Sequence, residues 1–301
     1  MDYDTKYASE RSNVFYPNPI FFCGEEIPLL EPDIQDRFKK ELDYYLKYKA
    51  NTRLLIKRAH KWFPKIEKIL AQNKMPTDLK YLVAVESAFT NVTSVKGASG
   101  FWQIRTLTGR TLGLTVNNDV DERLNPIKAT HAASGYFKLA YRTFKNWTLS
   151  AASYNMGISG LKRQLKRQEA DSYYDLKLNT ETARYVFKAM AFKEVFDQQE
   201  KYKVQPIIIS NAQPERNLKS YKVIESIEDL DAFAIANFTH PDSIKKYNPW
   251  VIGNRIEAEK NKEITLYFPR VKPLLQEEST ITASQKNNRK QIESAGINME
   301  K

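Results

Sequence analysis

An acid sits on the apolar face of a short helix, and the chain breaks into a loop directly after it. The segment from Met75 to Ile104, MPTDLKYLVAVESAFTNVTSVKGASGFWQI, reads as a helix ending near Glu86 and a Gly/Ser-rich stretch beyond. Pro76 and Thr77 mark a helix start, with Thr77 as N-cap and Asp78 in the first turn, where a negative charge suits the helix dipole. Leu79, Leu82 and Val83 form the apolar face, and Glu86 falls on it, four residues after Leu82. Such a helix needs an apolar surface to lie on, and its carboxylate is then either paired or chemically employed. Burial among apolar neighbours raises a carboxyl pKa, the condition for a general acid near neutral pH. The plainer reading is a solvated or salt-bridged Glu at a helix end.

The flanking chain supplies helices. From Asp33 to Lys49, Ile34, Phe38, Leu42, Tyr45 and Leu46 fall on one stripe; from Arg53 to Ala71, Leu55, Trp62, Ile66, Ile69 and Leu70 do the same. Residues 91–100 are turn-rich, with glycines that allow close backbone approach. Trp102 is either a sugar platform or a core plug, and Gln103 carries an amide that both donates and accepts. Asn125-Pro126 opens a long helix to Phe144, whose Ala129, Ala133 and Ala140 permit close packing. Trp147 to Met156 forms a short helix of small residues closed by Gly157. Asn179-Thr180 opens a last helix carrying Tyr185, Val186, Met190 and Val195.

Charge narrows the partners without choosing one. A net charge of +11 suits an anionic partner, and nucleic acid, anionic lipid and peptide-substituted murein all qualify. No nucleic-acid recognition motif is visible. The single cysteine, Cys23, excludes an intramolecular disulfide framework. His60, His131 and His240 are too far apart for a metal-binding motif. No apolar run reaches the roughly eighteen residues of a membrane span.

Three motifs in order carry a resemblance. Glu86-Ser87, Gly100-Phe101-Trp102-Gln103 and Ser153-Tyr154-Asn155-Met156-Gly157 resemble the Glu-Ser, Gly-Leu-Met-Gln and Ala-Tyr-Asn-x-Gly motifs of the lytic transglycosylases of the goose-type-lysozyme-like superfamily, with Ser153 in place of the usual Ala. The "DLKYL…VES" helix, Thr108-Gly109-Arg110 and Val120-Asp121-Glu122-Arg123 are similar to the membrane-bound murein transglycosylases of the D type. The resemblance covers roughly residues 20 to 270 and implies cleavage of peptidoglycan glycan strands. It implies Glu86 as the catalytic residue, and Ser87, Trp102, Gln103, Tyr154, Asn155 and Tyr185 as substrate-side groups. Tyr185, in Glu181-Thr182-Ala183-Arg184-Tyr185-Val186, hydrogen-bonds near the catalytic Glu in the family. The family's chemistry uses one carboxylate, which protonates the glycosidic oxygen and then accepts the muramyl 6-hydroxyl proton, giving a 1,6-anhydro end. It needs no metal or other cofactor.

The implied architecture is mainly α: a lysozyme-like helical catalytic domain over residues 31–200 behind an N-terminal arm, 1–30, that wraps over it. A linker, 201–215, leads to a small α+β module, 216–271, and a disordered tail, 272–301. Val204 to Ile209, Tyr221 to Ile224 and Glu263 to Phe268 read as strands, with helices at Asp229 to Asn237 and Asp242 to Tyr247. The module resembles a diverged LysM glycan-binding unit with Asn248-Pro249 at its Asn, or else is a structural cap. Murein lies in the periplasm or cell envelope, yet no signal peptide is visible. The expectation is a longer precursor whose leader, and any peripheral or lipid-anchored membrane association, lies outside this numbering; Cys23 is not read as a lipid-attachment site. Two rivals stand beside this reading: a muramidase on the same fold, and a non-catalytic glycan-binding scaffold.

Overall fold

The computed structural model describes residues 19–204, 218–258 and 262–269. The chain divides into two compact units, residues 1–117 with 121–211, and residues 118–120 with 212–301.

The first unit opens with an antiparallel hairpin, β1 (Phe21–Phe22) and β2 (Glu25–Glu26). Phe22, Ile27 and Leu29 are buried in the unit's core, so the described part of the arm packs on the helices. Helices α1 (Pro32–Lys47) and α2 (Lys49–Gln72) follow, separated by Tyr48 alone. The spacing predicts a later start for α2. The tight junction forms because the buried Thr52 hydroxyl donates to the Tyr45 carbonyl (2.7 Å), satisfying an orphan acceptor at the end of α1.

Next come a 3-10 turn, Thr77–Lys80, and α3 (Tyr81–Ser87). Thr77 is not the N-cap expected from the sequence. It is the first residue of the 3-10 turn, which has no side-chain cap, and the Asp78 carboxylate accepts the Cys23 N–H (2.8 Å), tying down the arm. A short ribbon, β3 (Ala98–Ser99) with β4 (Ile104–Arg105), leads to α4 (Thr106–Thr111) and a 3-10 turn at Glu122–Leu124. Then come α5 (Pro126–Phe144), α6 (Trp147–Met156), α7 (Ile158–Gln168) and α8 (Thr180–Asp197).

Asparagines open three of these helices. Asn125 accepts from the Ile127 and Lys128 N–H groups, Asn146 from Leu149 and Asn179 from Thr182. The start of α6 is held a second time by the Glu25 carboxylate, which accepts from the Trp147 and Thr148 N–H groups and the Thr148 hydroxyl. A negative charge there also suits the helix dipole. Ser150, Ala151, Ala152 and Ser153 are all fully buried, and α6 packs on both α5 and α8. Helix α8 packs against α1, α3 and α6. It is buried on nearly every side, through Tyr185, Val186, Phe187, Met190, Phe192 and Val195 among others, as befits a central helix.

The second unit pairs β5 (Leu218–Val223) antiparallel with β6 (Ile264–Pro269), in register from Leu218 opposite Pro269 to Val223 opposite Ile264. Between them lie α9 (Leu230–Ala236) and α10 (Pro241–Tyr247), the strand-helix-helix-strand order the sequence predicts. Leu230, Ala234, Ile244, Leu266 and Phe268 form its core. Asn248 is fully buried: its amide donates to the Ile244 and Tyr267 carbonyls and accepts the Tyr267 N–H, bridging α10 to β6. Most of the strand expected at 204–209, most of the linker and all of the tail lie outside the described residues.

Candidate active site

Glu86 occupies the last turn of α3, and the chain leaves the helix through two left-handed residues, Ala88 (φ 50°) and Phe89 (φ 58°). Each costs about 1–2 kcal/mol for a residue with a Cβ, and strain of this kind persists where the surroundings over-determine it. Here the Arg58 guanidinium donates to the Ala88 carbonyl, Phe89 is buried, and the Ser87 hydroxyl donates to the Phe101 carbonyl (2.8 Å). The end of α3 and the following loop are thus one rigid piece.

The loop itself is held from behind. Gly100 has φ 78°, and a Cβ there would lie 1.8 Å from the Arg123 carbonyl oxygen, so no other residue fits. Arg123 and Asp121, both buried, form a paired ion bridge, and the same guanidinium donates to the Gly97 and Ile104 carbonyls. Glu122, also buried, accepts from the Thr115 N–H and from the Lys128 ammonium. The carboxylates of the Val-Asp-Glu-Arg motif are therefore structural.

Around Glu86 the α8 and α6 side chains converge. The Tyr185 hydroxyl donates to Glu86 Oε1 at 2.5 Å. Burial pushes the Glu86 carboxyl up to about 7; the Tyr185 hydrogen bond opposes this, and the nearby Glu181 charge adds to it. Burial, and then the Glu86 charge, hold the Tyr154 and Tyr185 phenols well above their ordinary range, so both remain protonated donors. Tyr154 donates to the Trp102 carbonyl (2.8 Å) and stacks on Phe137 at 5.0 Å. Asn155 donates to Glu181 (3.0 Å) and accepts from the Thr182 hydroxyl (2.7 Å).

The residues singled out from sequence separate into two sets. Glu86, Tyr185, Tyr154 and Asn155 are linked by hydrogen bonds or by charge around one carboxyl. Gln103 sits in the loop at φ 46°, and its amide nitrogen donates to the Val92 and Gly100 carbonyls. Trp102 is a correction: the ring is 0% exposed, its N–H donates to Thr130 Oγ1, and it packs edge-on against Phe137. A ring with no solvent-facing surface cannot stack on a sugar, so Trp102 is the core plug. Ser87 is corrected in the same sense, since its buried hydroxyl donates to backbone and anchors the loop.

Sequence reasoning missed Glu181. It stood only as context for Tyr185, yet the fold brings it beside Asn155 and within electrostatic reach of Glu86. The roles of Asp121 and Arg123 were missed as well, although their motif was visible. Among the described residues, no group of three or more His, Cys, Asp or Glu could hold a metal ion.

Residues 64–177, which contain Glu86, the loop, Tyr154 and Asn155, match the Transglycosylase SLT domain family. Helix α1, most of α2 and all of α8 lie outside the matched span. Two curated relatives are each 27% identical over 245 residues, covering 79% of this chain and 53% of the relative: the Membrane-bound lytic murein transglycosylase D of Escherichia coli strain K12 and that of Escherichia coli O6:H1. The chain spans about half the length of the curated relatives it matches. Among solved structures, an inactive mutant of Lytic Transglycosylase Slt from Pseudomonas aeruginosa is 18% identical, with a TM-score of 0.38, over 50% of this chain and 25% of that one.

Proposed function

We propose that this chain is a peptidoglycan lytic transglycosylase that cleaves the MurNAc-GlcNAc β-1,4 bond and leaves 1,6-anhydro-MurNAc ends. The observation that carries the proposal is Glu86, a carboxyl raised to about 7 by burial, held by Tyr185 and lying in the span that matches the SLT family. A group with that pKa is substantially protonated at neutral pH and still a competent base once it has given up its proton.

Glu86 donates its proton to the glycosidic oxygen as the bond to C1 breaks, while the substrate's own N-acetyl oxygen stabilises positive charge at C1. The Glu86 carboxylate then takes the proton of the 6-hydroxyl as O6 bonds to C1. The enzyme's proton is restored and no water is consumed. Tyr185 holds the carboxyl, and the Asn155 amide and Gln103 oxygen orient the sugars; positioning of this kind supplies several kcal/mol of barrier reduction.

The curated relatives are named as membrane-bound murein enzymes, which supports a site of action in the periplasm or cell envelope. No helix among the described residues is long and apolar enough to cross a membrane. For the second unit, we propose a LysM-like glycan-binding module over residues 216–271. The order of its elements and the Asn248 bridge support that assignment.

Mass spectrometry of the soluble products from purified peptidoglycan tests the reading. Anhydro-muropeptides are expected from the wild type and none from Glu86→Gln. Reducing-end products would make the chain a muramidase, and no release by the wild type would make it a binding scaffold.

A further inference from the structure

Both ends of the loop that follows Glu86 are gripped by one short stretch of α2. At the start of the loop, the Arg58 guanidinium donates to the Ala88 carbonyl (3.1 Å), and Phe63 packs edge-on against Phe89 with ring centroids 5.4 Å apart. At its far end, Trp62 meets Phe101 edge-on at 4.8 Å, and Phe101 is the residue whose carbonyl accepts the Ser87 hydroxyl. Arg58 and Trp62 stand four residues apart, so they share one face of the helix. The ammonium groups of Lys61 and Lys65 lie over the indole, which keeps it seated. Arg58, Trp62 and Phe63 all precede the span that matches the SLT family, which begins at residue 64.

Of these contacts, the one made by Arg58 sets direction, because a hydrogen bond is angular and a ring contact is not. Ala88 is where α3 stops: its left-handed φ of 50° turns the chain, and that turn decides where its carbonyl points. Left-handed backbone at a residue with a Cβ persists where the surroundings hold it. The Ser87 hydroxyl and the buried Phe89 ring anchor side chains on either side, while Arg58 alone takes hold of the peptide group between Ala88 and Phe89. Arg58 is half-buried and has no carboxylate partner among the described residues, so its bond to Ala88 is not a by-product of an ion pair. Glu86 lies two residues before Ala88, in the same last turn. A shift of that peptide group is therefore passed to the Glu86 carboxyl and to its hydrogen bond with Tyr185.

We infer that Arg58 is a positioning residue for the reacting carboxyl: by holding the Ala88 carbonyl it fixes the last turn of α3, and with it the place of Glu86 against Tyr185. This deepens the transglycosylase reading and rests on it for the reaction that is followed. It also puts part of the catalytic geometry in residues that the family match does not reach. Without the anchor the last turn of α3 frays and water reaches Glu86. Burial is the largest cause of the raised Glu86 pKa, so a carboxyl that gains water titrates lower.

The test compares Arg58→Met, which keeps an apolar stem and loses the donors, with Thr52→Val, which cuts a hydrogen bond near the start of the same helix and leaves the α3 exit alone. Both should lower the melting temperature. Only Arg58→Met should lower kcat, by about tenfold or more on soluble glycan strands, with KM within about twofold of wild type. Its Glu86 carboxyl, titrated by carbon NMR with Glu86→Gln as the assignment control, should move to lower pH by about one unit, and the alkaline limb of kcat should follow. Arg58→Lys should recover most of both, because a single N–H makes the contact. If Arg58→Met does not fold, Arg58→Gln, shorter and uncharged, is read in its place. The titration needs no turnover, so it decides the inference even if the wild type releases nothing, a result that would remove the transglycosylase reading instead. An unchanged titration in a folded Arg58→Met, or equal changes in Thr52→Val, would leave Arg58 a purely structural residue. A shift to higher pH would mean that Arg58 acts on Glu86 as a charge; each of these outcomes overturns the assignment.

Discussion

Under the proposed mechanism, Glu86 couples chemistry to stability through one proton. Its folded pKa of about 7 lies above the unfolded value of about 4.3. Below pH 4.3 both states are protonated and the group is neutral in the balance; between about 4.3 and 7 only the unfolded state has lost its proton. The wild type therefore loses stability as pH rises through this window. Glu86→Gln should lower turnover by on the order of 10³-fold or more, while its melting temperature relative to wild type climbs from pH 4 to 7 and then levels. A melting temperature well below wild type at every pH would make Glu86 structural. Tyr185→Phe removes a hydrogen bond that favours the charged carboxylate, so the alkaline limb of kcat/KM should move to higher pH. Glu181→Gln removes a nearby negative charge and should move the limb the other way, by less, since Glu181 is exposed and screened. Shifts of the same sign in the two variants would refute this account of the pKa.

At the scale of elements, the short α3 and its loop are held by ties from outside, because a seven-residue helix has too few internal bonds to be stable alone. Arg123 supplies two of them, to the Gly97 and Ile104 carbonyls. Arg123→Met leaves the Asp121 carboxylate buried without its partner and two loop carbonyls without a donor, and should cost about 3–5 kcal/mol. Gly100→Ala must displace the Arg123 backbone and enter a strained φ, and should cost more than about 2 kcal/mol. Thermal denaturation reads both. If the loop geometry sets catalysis, activity at temperatures where each variant remains folded should also fall. Full activity in a folded Arg123→Met would show that the loop does not position the site.

Two compact units, each with its own core, should unfold in two calorimetric transitions, since two-state behaviour belongs to single domains. Asn248→Ala removes the amide that bridges α10 and β6 inside the smaller unit, leaving buried backbone groups unpaired at about 1–3 kcal/mol each. It should lower one transition and spare the other. Pelleting with insoluble murein should weaken in parallel if the smaller unit binds glycan, whereas release of soluble products from short strands should persist. A single transition that moves as a whole would mean that the units unfold together.

Much of the local structure was legible in the residues themselves. The apolar spacing along α1, the Asn125-Pro126 start of α5, the Asn179-Thr180 start of α8 and the Gly157 stop all act over a few residues, so they can be read without knowing the fold. Glu86 at the end of an apolar helix was readable for the same reason. Tertiary structure alone decided what each side chain faces. Trp102 became a core plug because Thr130 and Phe137 close over it, and Ser87 turned to the Phe101 carbonyl. The Thr77 cap gave way to a 3-10 turn whose Asp78 binds the distant Cys23. The raised pKa of Glu86 comes first from burial, with Tyr185 opposing it and Glu181 adding to it, both about a hundred residues away in the chain. Desolvation and hydrogen bonding are summed over neighbours in space, and only the folded chain determines which neighbours those are.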